Sequence, residues 1–467
     1  MARKERLAMM RPARFIAAVL SCLCLAGTAA RAQTPAPDST LGSKPASAGT
    51  TGNSAAGPTE TQASPPQQQA VELEELRRRI EVLAAELERM RSGEEPEQEL
   101  SDERRRSLGL APSAAAAYRK RQGISLAGYG EMLYENFDRR DERGAAVSRP
   151  SQIDYLRLIL YTGYRFNERF IFNSEIELEH ANEVSVEFAY LDYLAREAVT
   201  VRGGMLLIPM GLINEFHEPT VFPGARRPET ESRILPSTWR ENGVGLLGAI
   251  GRFSYRAYLV NGLNAAGFTA AGLRGGRQKG SRAKAEDLAF VGRLDATPTP
   301  GVFVGGSVYA GGSDQGQFTV AGRELDVGTR IVEVHGQAQM RGLELRGLYA
   351  RAALDDVAAL NQALGLRSSK SIGKTLAGGY LQFGYNIFAR SGSKAALTPY
   401  YRFEHVNTQA DVPAGFSSDP ALDAAYHTLG VELKPIFQVV VKADYQWISN
   451  KAGTGVGQFN INLGYAF

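Results

Sequence analysis

Residues 123–467 repeat a two-residue alternation in which one side of each predicted strand is apolar and the other is polar or charged. The last segment, QFNINLGYAF, places Phe459, Ile461 and Leu463 on one side and Asn460 and Asn462 on the other. Successive side chains of a strand point to opposite faces. The second faces are too charged for a packed core, and the first are too apolar for water. The alternation therefore predicts an all-β protein whose apolar faces meet lipid and whose polar faces line a lumen.

A lipid bilayer offers no water to an unpaired strand edge, so a sheet that crosses it has to close into a barrel. We predict a transmembrane antiparallel β-barrel of about 16 strands over residues 123–467. The predicted links alternate between short turns and longer loops, except near residues 181–182 and 450–455. The long links are residues 138–150, 210–241, 264–287, 312–326, 355–372 and 408–423. Short periplasmic turns alternating with external loops are typical of bacterial outer-membrane barrels.

The first 122 residues divide into four predicted segments. Residues 1–32 combine a basic start with the apolar run FIAAVLSCLCLAGTAA and end in Ala-Arg-Ala, which indicates a secretory signal peptide. An uncleaved membrane anchor is the alternative, although the apolar run is short for a spanning helix. Residues 33–70 are rich in Pro, Ser, Thr, Ala and Gln and are predicted to be a disordered linker. We assign residues 71–92 to a coiled-coil helix and residues 93–122 to a periplasmic connector.

Residues 71–92 carry apolar positions at heptad spacing with Glu and Arg between them. The predicted oligomerisation seam is Leu73, Leu76, Ile80, Leu83, Leu87 and Met90. A helix this short is marginal alone and gains stability by pairing its seam with other copies. The alternative is a helix that lies on its own barrel. The seam residues are compatible with a dimer or a trimer.

Cysteine and charge exclude several classes of protein. Both cysteines, Cys22 and Cys24, lie in the predicted signal peptide, so the mature chain would have no disulfide and no thiolate site. The chain has 53 Lys/Arg and 50 Asp/Glu, and removal of the six basic residues and one acidic residue of 1–32 leaves 47 and 49. The mature net charge is then −2, which gives no support to nucleic-acid binding.

The third predicted external loop, residues 210–241, contains the charged and proline-rich stretch FPGARRPETESRILPSTWRENG. Its prolines exclude regular secondary structure over most of the loop and stiffen it. Sixteen strands leave an aqueous channel, which a long loop folded inward would narrow. The predicted channel constriction consists of Arg226, Arg227, Glu229, Glu231, Arg233 and Arg240. The alternatives are a solvent-exposed cap and a loop in the trimer contact.

The polar faces of the strands supply candidate residues of the channel wall. The predicted lumen-facing residues are Arg157, Arg202, Arg256, Glu333, His335, Arg341, Arg402 and Lys442. Acidic residues accompany them, and the loop 210–241 itself has four Arg and five Glu. An anion filter needs a positive potential along the path of the solute. The sequence does not decide whether the basic groups share one wall.

The stretch Gly204–Gly248, with its G-x-x-x-x-P-x-G run ahead of the charged loop, resembles the phosphate-selective porin O and P family. The layout of signal peptide, N-terminal coiled coil, barrel and terminal Phe467 is also similar. The resemblance implies a homotrimer of channels that pass anions passively, with phosphate or polyphosphate as the solute. The mixed charge of the third loop departs from that family's expected positive potential and leaves the solute open.

Nothing in the sequence indicates an enzyme, a cofactor or a metal site. The five histidines do not pair at H-x-x-x-H spacing, and no G-x-S-x-G motif occurs. His217 lies in Glu-Phe-His-Glu, where a transition-metal ligand is conceivable, and we interpret it as loop polarity.

The sequence therefore predicts a non-enzymatic porin in the bacterial outer membrane, with its N-terminal arm in the periplasm. The alternative is a non-conducting barrel that acts as an anchor or adhesin, and a third, weaker alternative is an enzyme barrel. The expected partners are outer-membrane lipid, two further copies in a homotrimer, the barrel-assembly machinery at the Phe467 strand, and peptidoglycan.

Overall fold

The computed structural model describes residues 74–82, 84 and 100–467. Residues 74–82 are helical, and the seam residues Leu76 and Ile80 are exposed within this segment. The signal peptide, the linker and the seam residues Leu73, Leu83, Leu87 and Met90 lie outside the described residues, so the coiled coil stays a prediction. No helix in the described part of the chain has the length and apolarity needed to cross a membrane.

Sixteen antiparallel strands form a closed barrel in which β1 pairs with both β2 and the last strand, β18. The first eight barrel strands are β1 (Gly123–Phe137), β2 (Gln152–Arg165), β3 (Phe170–Glu179), β4 (Glu183–Arg196), β5 (Val199–Leu207), β6 (Arg240–Ile250), β7 (Phe253–Asn261) and β8 (Leu288–Thr299). The other eight are β9 (Val302–Gly312), β12 (Gly328–Met340), β13 (Leu343–Leu354), β14 (Thr375–Tyr385), β15 (Ala396–Asp411), β16 (Asp423–Ile436), β17 (Val439–Asn450) and β18 (Gln458–Ala466). The predicted strand number and the antiparallel closure are confirmed.

The connections separate the barrel into two ends. The turn end holds the links 166–169, 197–198, 251–252, 300–301, 341–342, 386–395 and 437–438. The long-loop end holds 138–151, 208–239, 262–287, 313–327, 355–374 and 412–422, together with the short links 180–182 and 451–457. The loop 313–327 carries the small hairpin β10 (Thr319–Val320) and β11 (Arg323–Glu324). The loop 355–374 carries the helix Val357–Ala363.

The alternation predicted for the strands sorts side chains between the outside and the inside of the barrel. In β12, Val332 and Val334 are 53% and 56% exposed, whereas Glu333 between them is 1% exposed. In β18, Asn460 and Asn462 are fully buried while Leu463 is exposed, as is Phe467 directly after the strand. The outer face of the isolated chain is thus a broad apolar surface, and the charged and polar side chains of the strands face the interior. That is the reverse of a water-soluble sandwich and is the pattern of a barrel surrounded by lipid.

A segment ahead of the barrel lies inside it. Residues 101–120 contain the helices α1 (Asp102–Ser107) and α2 (Ala116–Arg119), and Leu108, Leu110 and Tyr118 are buried. The Asn173 side chain in β3 donates to the backbone carbonyl of Ala114 at 2.9 Å. The prediction of a connector outside the barrel is therefore wrong for residues 101–120. We call these residues the N-terminal plug.

Candidate functional site

The lumen is crossed by the loop 208–239, which we call the lumen loop. Its backbone is bound from several sides of the barrel. The Lys442 ammonium of β17 donates to the Phe222 carbonyl at 2.7 Å, and the Arg346 guanidinium of β13 donates to the Val221 carbonyl at 2.6 Å. On the opposite wall, the Arg293 guanidinium of β8 donates to the Gly211 carbonyl at 2.6 Å. The loop therefore spans the interior instead of capping the barrel.

Carboxylates hold the same loop through its amide groups. Glu404 of β15 accepts hydrogen bonds from the backbone N–H groups of Glu229 and Thr230, at 3.0 and 2.6 Å. These two residues begin a short helical turn, α3 (Thr230–Arg233). The Ala225 N–H donates to Asp444 of β17 at 2.7 Å. Part of the acidic wall is therefore hydrogen-bonded to amides of the lumen loop.

Glu231 is the buried centre of the lumen loop. Its carboxylate accepts from the Leu212 and Ile213 N–H groups, both at 2.8 Å, and from the Tyr380 hydroxyl at 2.6 Å. Burial raises the pKa of Glu231 from 4.5 to about 7, with a smaller contribution from the nearby charge of Glu333, while the three hydrogen bonds oppose the shift. The side chain thus closes the loop on itself and on β14.

Because the folded pKa of Glu231 lies above the unfolded value, ionisation of this group destabilises the fold as pH rises from about 4.5 to about 7. We expect the melting temperature of the wild type, relative to Glu231→Gln, to fall between pH 5 and pH 8. Glutamine is isosteric and can keep all three contacts, with the Tyr380 hydroxyl as acceptor. The difference is measured by thermal unfolding in detergent, with the change in electrophoretic mobility on heating as the signal of unfolding. A wild type and variant that move in parallel over this range would contradict the assignment.

The six predicted constriction residues occupy different positions in and beside the loop. Arg226 pairs with Glu135 of β1, and Arg233 pairs with Glu229 at 2.7 Å. Arg240 belongs to β6 and lies 3.3 Å from Glu187 of β4, so it is part of the wall. Glu231 is buried as described above. Arg227 is the remaining member, and its Nη2 has no hydrogen-bond partner in the described part of the chain.

Seven of the eight predicted lumen-facing residues are buried within the barrel. They are Arg157, Arg202, Arg256, Glu333, His335, Arg402 and Lys442. The prediction for Arg341 is wrong, because this residue lies in the turn 341–342 at the turn end and is exposed. Its φ of 51° closes the tight turn to β13, so the alternation of β12 ends one residue earlier, at Met340.

The N-terminal plug supplies functional contacts that the sequence reading missed. The Tyr118 hydroxyl donates to Asp192 of β4 at 2.6 Å, and the same carboxylate is held by Arg202 of β5 at 2.8 Å. The plug also meets the lumen loop, since the Ser113 N–H donates to Glu218 at 2.8 Å. A signal for this packing is the presence of apolar side chains such as Ile171 and Phe188 on the lumen side of their strands.

A cavity lies at each end of the packed interior. The cavity at the long-loop end has a volume of about 270 Å³, and the cavity at the turn end about 330 Å³. In the first, the carboxylates are paired: Glu131 with Arg157, Glu135 with Arg226, Glu229 with Arg233 and Asp154 with His180. Among the described residues that line it, Arg227 and Arg274 stay outside these pairs. The second is lined by five arginines and three carboxylates.

The basic groups around the first cavity are close enough to affect one another. Burial, together with a smaller effect of neighbouring cations, lowers the pKa of Arg274 to about 10 and that of Arg277 to about 9. Burial and the proximity of Arg157 also lower the pKa of Arg227. At neutral pH Arg274 and Arg277 remain protonated, and Arg274 contributes an unpaired positive charge to a cavity lined by four arginines and four carboxylates.

The chain is similar to known proteins in structure and in sequence. An anion-selective porin from Comamonas acidovorans is 12% identical, with a TM-score of 0.47 over 74% of this chain and 100% of that chain. The outer-membrane channel DcaP of Acinetobacter baumannii is 11% identical, with a TM-score of 0.48 over 74% of this chain and 97% of that chain. The outer-membrane protein OmpT of Vibrio cholerae, in its trimer form, is 14% identical, with a TM-score of 0.46 over 74% and 100%.

No protein-family model matches the sequence. A protein of Aquifex aeolicus (strain VF5), described as uncharacterized, is 38% identical over 353 residues. The match covers 72% of this chain and 78% of the relative. This chain and the Aquifex aeolicus protein therefore belong to one family.

Proposed function

We propose that this protein is an outer-membrane porin that lets small hydrophilic solutes diffuse passively through the barrel. The observation that carries the proposal is the sixteen-strand closed barrel with an apolar outer face and a charged interior. A barrel of this strand number encloses an aqueous channel unless something fills it. The hydrogen bonds that hold the lumen loop to several strands of the wall support the proposal that this loop is the constriction.

The channel is proposed to prefer anions, with phosphate as a candidate solute. Arg227 and Arg274 line the long-loop cavity without a carboxylate partner among the described residues. The turn-end cavity has an excess of two positive charges, with Arg104, Arg106, Arg252, Arg256 and Arg293 against Glu103, Glu197 and Asp295. Unpaired arginines at one end of the path and an excess of positive charge at the other favour anions over cations.

A second candidate function is a non-conducting anchor or adhesin. The N-terminal plug and the lumen loop together occupy the middle of the barrel, and they are hydrogen-bonded to each other. A filled barrel of this kind is compatible with a role in which residues 33–92 connect the outer membrane to periplasmic partners such as peptidoglycan.

The proposed setting follows from the barrel. The apolar face would contact outer-membrane lipid, the turn end would face the periplasm, and the barrel-assembly machinery would recognise β18 together with the Phe467 that follows it. We propose a homotrimer, with the helix of residues 71–92 as one contact between copies.

Recordings of the refolded mature chain in planar bilayers separate the two candidates. The porin proposal predicts discrete ohmic steps and, under a KCl gradient, a reversal potential of the sign set by anions. The control is the same preparation heated to unfold the barrel, which should give no steps. A folded chain that inserts but produces no steps would overturn the porin proposal and favour the anchor. Steps with cation preference would overturn only the anion preference.

A further inference from the structure

Two acidic side chains of the barrel wall and one histidine of the lumen loop converge on a buried point. His217 Nε2 lies 3.1 Å from Glu175 Oε1 of β3 and 3.1 Å from Glu187 Oε2 of β4. The three side chains are at most 1% exposed. Their three nearest nitrogen and oxygen atoms all lie within 4.8 Å of one another.

One proton does not satisfy this arrangement. An Nε2–H can be well aligned with only one of two carboxylates, yet both approach at the same distance. Glu175 Oε2 and Glu187 Oε2 are buried without a hydrogen-bond partner among the described residues. Within that part of the chain, the contact of the Glu175 carboxylate is with His217 alone and with no guanidinium. A buried carboxylate in this state needs a cation beside it, and that cation is either the protonated imidazolium of His217 or a metal ion that takes the place of the Nε2 proton.

The surrounding contacts orient these groups toward the common point. His217 Nδ1 lies 2.9 Å from the Asn214 carbonyl, and because a carbonyl only accepts, Nδ1 carries a proton there. In the neutral ring this leaves the Nε2 lone pair directed at the two carboxylates. Histidine ligands of metals usually have their second nitrogen bound in this way. On the other side, Glu187 Oε1 is held by the Thr238 hydroxyl at 2.7 Å, which leaves Oε2 for the site.

We propose that Glu175, Glu187 and His217 bind one divalent first-row transition-metal ion such as Zn²⁺. Ligand atoms about 2.0–2.2 Å from a shared ion are separated from each other by about 3–3.5 Å, which the two 3.1 Å distances match. One imidazole with two carboxylates is a donor set that zinc and its neighbours accept. A small cavity of about 10 Å³ is lined by Glu175 and His217, and its volume is about that needed for one water molecule as a further ligand.

The ion would fasten the lumen loop to the wall. His217 belongs to the loop, whereas Glu175 and Glu187 belong to adjacent strands, so the metal links three separate parts of the chain. Asn214, which positions the histidine, is itself held by side-chain hydrogen bonds to the carbonyls of Ile208 and Trp239 at 2.7 and 2.9 Å. The site therefore sits at the base of the loop, where both of its strand connections meet.

Direct metal titration of the full chain, folded in detergent and treated with EDTA, tests the proposal without any use of conductance. We expect one equivalent of Co²⁺ to bind, to give visible ligand-field absorption, and to be displaced by Zn²⁺. Glu175→Gln keeps the shape of the side chain and should weaken Zn²⁺ binding by about 100-fold or more, and His217→Ala should abolish it.

The matched control is His405→Ala. This variant removes an exposed histidine that contacts Asp423 at 2.8 Å on the outer face, and it should bind Co²⁺ as the wild type does. The heat-dependent mobility shift shows that each variant has folded, and Glu175→Gln decides the matter if His217→Ala does not fold. The proposal is overturned if the wild type binds much less than one equivalent, or if Glu175→Gln binds Zn²⁺ with unchanged affinity. Neither result bears on whether the barrel conducts.

Discussion

A chain without residues 101–120 should conduct severalfold more current per channel than the full-length protein. The N-terminal plug occupies lumen that a barrel of sixteen strands would otherwise leave to water. Its residues Leu108, Leu110 and Tyr118 are between 1% and 4% exposed, so the segment is packed and not merely near the opening. Without the plug, the lumen loop is the obstruction of the channel that we identify among the described residues.

The packing explains why the plug is held in place in the intact chain. At the turn end, the Arg165 guanidinium of β2 donates to the carbonyls of Tyr118 and Lys120, at 3.0 and 2.9 Å. Beside the turn-end cavity, the guanidinium of Arg256 donates to the carbonyl of Arg106. The strand ladder does not pass through the plug, and we therefore expect the truncated barrel to fold.

Single-channel recordings of the two proteins in the same lipid measure the effect. The control removes residues 33–70, the predicted linker, and leaves the plug intact; its conductance should equal that of the full-length chain. Leu110→Glu gives a second, milder variant, since a charge placed in the apolar contact should loosen the plug and raise conductance. Equal conductance of the truncated and full-length chains would show that the plug does not obstruct the path.

The barrel was predictable from the sequence because its determinants are local. Whether Val332 faces outward and Glu333 inward depends on the strand period alone, and this repeats over every strand. The alternation of short and long links then predicts that consecutive strands are antiparallel neighbours, and this needs no knowledge of contacts between distant residues. The wrong prediction for Arg341 has a local cause as well. The alternation of the sequence continues through Arg341, but the strand ends at Met340 and a tight turn begins at the next residue.

The interior was predictable only in part because its contacts join distant residues. The plug sequence LGLAPSAAAAY has no strand period, and nothing in it names Asp192 or Glu218 as partners. His217 and Glu175 are 42 positions apart, and a metal-ligand spacing rule does not cover such a separation. The sequence also does not show which arginine pairs with which carboxylate of the wall. Counting the charges therefore could not reveal that Arg227 and Arg274 lack a carboxylate partner among the described residues.

Reversing the charge of those two residues should convert the ion preference of the channel. We expect the double variant Arg227→Glu/Arg274→Glu to lower the anion-to-cation permeability ratio on the order of tenfold. Both side chains line the long-loop cavity, and with the other carboxylates there already paired, two new negative charges would dominate the local potential. The reversal potential under a KCl gradient measures the ratio directly.

The control for this variant has to change net charge without changing the cavity. Arg367→Glu serves, because Arg367 is exposed on the loop 355–374 at the same end of the barrel. A charge there is separated from the path by solvent and is screened within about 8 Å at physiological salt. The reversal potential of Arg367→Glu should therefore stay close to that of the wild type. If Arg367→Glu and the double variant shifted the potential equally, the selectivity would come from the general charge of the outer surface. If only the double variant shifts it, the pairing of carboxylates inside the lumen, and not the overall charge of the loop, sets which ions pass.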